Sequence, residues 1–229
     1  MLVMSAKTTK EDPQVISFQT LRKAVGWLGI CLPVVMLVGN AVLRDCYKIQ
    51  DSVSHYYYTV TGDLFVGILC AVALFLFAYK GYEGDSDNIW TNLAGFFALC
   101  IAIFPTNDNS LDRCSFISLP DNEIRRIIHY VSAGAFFLIL AGISLFLFTR
   151  SDKEKTKEKA IRNKIYRTCG VTILLSVVAI AIYGLVREDT GWGPYKLVFW
   201  LEWIALISFG ISWLVKGEMM LKDHTLNKK

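Results

Sequence analysis

The sequence predicts an all-α fold: a polytopic membrane bundle of six transmembrane helices with both termini in the cytoplasm. Three observations predict it. Of the 229 residues, 54% are hydrophobic and only 19% charged, against about 25% charged in soluble domains, and the mean hydropathy is +0.41. The apolar residues gather into runs close to the 20 residues or so that a helix needs to cross a hydrocarbon core of about 30 Å. The runs do not alternate as barrel strands would, and a helix is the other spanning structure that satisfies every backbone donor and acceptor in lipid.

Six runs bounded by charge are present, at 24–43, 60–79, 89–104, 127–148, 168–186 and 197–215. The first follows Arg22 and Lys23, after a segment with Lys7, Lys10, Glu11, Asp12 and Pro13. That segment has no signal-peptide pattern, so the run reads as an uncleaved signal anchor. The second follows Ser54-His55-Tyr56-Tyr57-Tyr58-Thr59 and carries Asp63 about one turn in. The third is the shortest and ends at Pro105. Its Ala94, Ala98 and Ala102, with Gly95 beside them, predict close helix contact in the middle of the bundle. The fourth opens on His129, just after Arg125 and Arg126, and the fifth follows a basic loop at 150–167. The sixth bears Glu202, then Ser208, Gly210 and Ser212, which suggest another close crossing. Trp192, Tyr195, Trp200 and Trp203 near its outer end read as an interfacial aromatic belt.

The chain thus divides into a cytoplasmic N-terminal segment at 1–23, a transmembrane domain at 24–216 and a cytoplasmic tail at 217–229. Of the 24 Lys and Arg residues, 17 fall on the side of the termini and the second and fourth loops, which makes that side cytoplasmic. The expected location is the cell inner membrane, as a multi-pass protein. The basic fourth loop reads as a topology determinant, and the net charge of +4 calls for no nucleic-acid partner. Cys31, Cys70, Cys100 and Cys169 lie in or at the edge of runs, where thiols act as small apolar groups. Cys46 and Cys114 lie in outer loops and can form a disulfide in an oxidising compartment.

Polar residues inside a bilayer are costly and point to function, and here they gather toward the outer end. Three arrangements suit them. Two imidazoles and a carboxylate, His55, His129 and Asp63, suit zinc, which polarises a carbonyl or generates hydroxide. No HExxH pair accompanies them. Alternatively the layer is a metal-free pocket. Arg125 and Arg126 then offer forked donors to phosphate, Tyr56 and Tyr57 line it, and Asp63 or Glu202 pairs with a cation, with Asp108 in the same layer. The third arrangement is structural, the carboxylates being satisfied by nearby arginine, histidine or tyrosine. The favoured function is a pocket formed by the second, third, fourth and sixth helices that binds a lipid headgroup or small ligand. The alternative is a metal-assisted transmembrane hydrolase of lipid esters or amides. Whether the chain is an enzyme is left open, and membrane lipids are the expected partners.

The stretches SVSHYYYTVTGDLFVGILC, NLAGFFALCIAIFPT, HYVSAGAFFLILAGISLFLFT, RNKIYRTCG and FWLEWIALISFGISWLVKG resemble a widespread family of small bacterial integral membrane proteins of uncharacterised function. That resemblance implies six helices and says little about activity. The layout is similar to that of the autophagy-modulator type of six-helix protein. More distantly it resembles the superfamily of alkaline ceramidases and adiponectin receptors, zinc-dependent transmembrane hydrolases. That resemblance implies Asp63, His55 and His129 at a zinc site, with Ser54 as the serine. Those proteins have seven helices and a third zinc histidine in a paired set near the chain end, and this sequence has no such pair.

Overall fold

A computed structural model describes residues 13–79, 87–107, 114–150, 156–190 and 195–219. Among the described residues the chain is helical, with one isolated antiparallel bridge between Thr59 and Ser115. The long helices are α1 Pro13–Arg44, α2 Gly62–Ala78, α3 Asp87–Ile103, α4 Glu123–Gly142, α5 Lys157–Thr190 and α6 Leu197–Lys216. Those at α1, α4, α5 and α6 are long and apolar enough to cross a membrane, while α2 and α3 are apolar and shorter. Their outward faces fit that use. Val42, Leu74, Leu175 and Leu185 are among many exposed large apolar side chains, far more than a soluble surface tolerates.

Helix α1 is already formed at Pro13, the first described residue, well before the expected run at 24. Helix α5 likewise begins inside the basic loop. The 1–23 segment is therefore continuous with the first span from Pro13 onward. At the end of α4 the backbone widens into a π-helical turn, Ile143–Leu147, in which the Phe148 N–H reaches the Ile143 carbonyl at 2.9 Å.

Each helix packs against its neighbours in sequence, and α6 returns to pack against α1, so the six form a closed ring; α4 and α6 also touch across it. This corrects the expectation for α3. It stands in the ring between α2 and α4, with Ala94, Ala98 and Ala102 buried and Leu93, Phe96 and Ile103 exposed. A stripe of small residues marks one face of close contact and does not require neighbours on every side. The close crossing expected of α6 is its seam with α1, where Gly26 and Gly210 meet backbone to backbone.

One end of the ring is filled by the wholly buried Trp213, whose ring sits 5.3 Å from Tyr79, 5.4 Å from Phe148 and 5.9 Å from Phe209. The other end is covered by a 3-10 turn, Ser54–Tyr58. A disulfide between Cys46 and Cys114, Cα atoms 5.7 Å apart, fastens the chain leaving α1 to the segment leading into α4. Beside it the Phe116 N–H donates to the Tyr58 carbonyl at 2.7 Å.

Candidate functional site

The covered end holds most of the polar residues that the sequence singles out. Glu202 lies in the second turn of α6, and its Oε2 accepts the Val53 N–H at 2.6 Å. This contact joins α6 to the residue that precedes the 3-10 turn. Below the turn is a cavity of about 30 Å³, with Val53, Ser54 and Glu202 on its polar side and Phe65, Phe136 and Phe137 among its apolar walls. A cavity needs about 10–15 Å³ on this measure to hold one water. This one therefore takes a water or two, or the end of a small polar group.

The three expected zinc ligands are not drawn into one cluster. His129 is buried on α4, with Nδ1 2.8 Å from the Phe104 carbonyl. His55 places Nδ1 2.6 Å from the Ser52 hydroxyl. The two imidazoles lie within electrostatic reach of each other, but Asp63 is exposed on the first turn of α2. Among the described residues no group of three His, Cys, Asp or Glu side chains is placed to hold a metal ion. The reason is rotational. Asp63 sits two residues before the buried Phe65, about 200° around the helix, and packing of Phe65 turns the carboxylate outward.

The tyrosines also differ from expectation. Tyr56 is fully buried and stands outside the cavity wall, its hydroxyl facing the Gln50 N–H at 3.5 Å. Burial pushes its phenol up to about 12, so it stays neutral. Tyr57 packs edge-on against Tyr58, and the Tyr58 hydroxyl donates to the Thr106 carbonyl. These are ties between the turn and the end of α3. Arg125 donates from Nη2 to Asn107 Oδ1 at 3.1 Å and to the Pro120 carbonyl at 2.9 Å, so it braces the entry to α4. Arg126 pairs with Glu123 at 3.4 Å on the surface. Asp108 and Trp192 lie outside the described residues. Among the described residues of the expected ligand-binding set, Glu202 alone lines the cavity.

Two groups that carry the site had no clear mark in the sequence. The Val53 amide is a backbone donor, which no residue type announces. Asp51 pairs with Lys196 and so ties the chain ahead of the turn to the start of α6. Lys196 has left-handed backbone angles, φ 51° and ψ 42°, which are uncommon outside glycine. Burial raises the Asp51 carboxyl, but the hydrogen bond and charge of Lys196, with lesser help from His55 and Lys48, outweigh it and leave the carboxyl below its ordinary value. A lowered folded value stabilises the fold above the ordinary carboxylate range and ceases to as the pH falls through it. Wild type should therefore melt above Asp51→Asn at pH 7, with the gap closing as the pH drops below 3.8. Melting curves in detergent that keep a constant gap down to acid would rule the pair out as the cause.

Comparison with family models, with curated proteins and with solved structures finds no match to this chain.

Proposed function

We propose that the chain is a six-span integral membrane protein of a bacterial inner membrane, with both termini cytoplasmic. Its outer end receives the polar group of a lipid headgroup or small ligand at Glu202. The ring supports six spans: α2 and α3, 17 residues each, stand between α1 and α4, and about 17 residues is the lower limit for crossing. The excess of Lys and Arg on the other side supports the orientation. The relation to the small bacterial six-helix family is part of the same proposal.

The observation that carries the binding role is the Glu202 carboxylate in the wall of a largely apolar cavity. An ionisable side chain within a membrane helix is costly and marks function by default. One oxygen is engaged by the Val53 amide, and a carboxylate has acceptor sites to spare. The size of the cavity restricts the guest to a small end group, such as an ammonium or a hydroxyl.

The test is the thermal shift of detergent-purified protein with ethanolamine, choline and glycerol phospholipids. Wild type is expected to respond to a headgroup that carries a donor. Glu202→Gln should weaken that response about tenfold, the loss of one charge-assisted hydrogen bond, and Glu202→Leu should abolish it. Equal shifts in all three proteins would end this reading. Elemental analysis separates the hydrolase alternative. Near-stoichiometric zinc that is lost in both His55→Ala and His129→Ala would put metal-assisted cleavage of lipid esters or amides ahead.

A further inference from the structure

A second recess lies on the flank of the ring, far in sequence from Glu202. Helix α5 presses on the π-helical turn at Gly170. A Cβ there would come within 2.5 Å of Leu145 and 3.1 Å of the Ala141 carbonyl, so the two backbones touch. Toward the polar ends of both elements a groove of about 460 Å³ opens, lined by Leu145, Phe146, Thr149, Arg150, Arg167 and Val171.

The two walls repeat one pattern. On the first, Phe146 and Arg150 are four residues apart; on the second, Arg167 and Val171 are four apart. Arg167 and Val171, so spaced, stack along one face of α5, while Phe146 belongs to the π-helical turn and Arg150 to the chain just beyond it. In each pair the arginine is nearer the end that leads into the basic loop, and the apolar residue is deeper. Phe146 and Val171 are exposed, and below Val171 the exposed stripe continues through Leu175, Val178 and Ile182. The Thr149 hydroxyl turns back to the Leu145 carbonyl at 2.8 Å, which satisfies an acceptor at the widened turn. The groove therefore has two guanidiniums at its mouth, no carboxylate among its described lining residues, and an apolar floor running down the ring.

We propose that this groove is a binding site for one anionic phospholipid, its phosphate held between Arg150 and Arg167 and an acyl chain laid along Phe146, Val171 and Leu175. The inference rests on the membrane-spanning reading above. Each guanidinium has five donors in a fork that matches phosphate oxygens, so each can serve a phosphate along with partners of its own. Basic recesses between membrane helices on the cytoplasmic side suit acidic headgroups. A soluble acidic segment would use the arginines but leave the apolar floor against lipid tails, so the combination favours a lipid.

Native mass spectrometry of delipidated full-length protein, with phosphatidylglycerol or phosphatidylcholine of matched chains, tests the site. Wild type should hold one phosphatidylglycerol in preference to phosphatidylcholine. Arg150→Gln with Arg167→Gln should weaken it about thirtyfold, since each basic residue near an anionic lipid contributes about fivefold. Lys157→Gln with Lys164→Gln, an equal charge change on the exposed start of α5, should leave it unaltered. Val171→Trp, which fills the floor and keeps both arginines, should also lower occupancy. Equal loss in both charge doubles, or full occupancy in the arginine double or in Val171→Trp, would overturn the groove. Carbonate extraction separates the two levels. A chain released by carbonate refutes the membrane reading, whereas a retained chain without phosphatidylglycerol preference refutes the groove alone.

Discussion

Gly210→Val is expected to part α6 from α1 and lower stability by about 3 kcal/mol, the upper end of the usual cost of overpacking. A Cβ at Gly210 would sit 2.5 Å from the Gly26 carbonyl oxygen, and one at Gly26 would sit 2.8 Å from the Gly210 carbonyl. Both obstacles are backbone, so no rotamer change relieves them and the helices themselves must separate. Helix pairs in lipid are held by close van der Waals approach rather than by hydrophobic expulsion, so a separation of an ångström or so removes the interaction that joins them. Gly184→Val is the control, because a Cβ there meets nothing within 4 Å. Unfolding in a denaturing detergent should show an early transition for Gly210→Val and a normal one for Gly184→Val. Matching transitions would mean that the seam contributes little.

The second large effect is expected from Cys46→Ser with Cys114→Ser. The bond closes a loop with a sequence separation of 68, for which loop-closure entropy gives about 4 kcal/mol. Helices already held in a bilayer restrict the unfolded chain, so about 2–4 kcal/mol is the expected loss. The effect should be local as well. Without the bond, the Thr59–Ser115 bridge and the Phe116 N–H to Tyr58 carbonyl contact must hold the cover unaided. Thiol labelling of native protein should reach at most Cys31, Cys70, Cys100 and Cys169, the free cysteines, and reductant should add two more sites and lower the melting point. A melting point indifferent to reductant would contradict the bracing role. Persistence of the bond requires an oxidising compartment, which agrees with the proposed outward orientation of this end.

The helices were legible in the sequence because hydropathy and length are properties of single segments. Gly210 with Ser208 and Ser212 marked one side of a close crossing, but its partner Gly26 lies at the other end of the chain, and small residues do not name each other. The alanines of α3 marked a contact face correctly and its place in the ring wrongly. At the candidate site, Glu202 stood out as a carboxylate in an apolar run. Asp63 stood out equally and points the other way, because rotation about α2 is decided by how Phe65, Leu69 and Val72 pack. The groove at Arg150 and Arg167 was hidden for a different reason. One of its walls includes a π-helical turn, and Ile143–Leu147 is an ordinary apolar stretch in sequence.

The adjacency of α1 and α6 also governs when the protein can be finished. A ribosome adding about 5–20 residues per second makes Gly26 some 10–40 s before Gly210. Throughout that interval the first helix sits in the membrane with its most tightly fitting face unmatched, and the row of helices behind it is an open arc. Only α6 closes the circle, so closure of the ring waits for its synthesis. Chains halted before it should be the preferred substrates of membrane quality control.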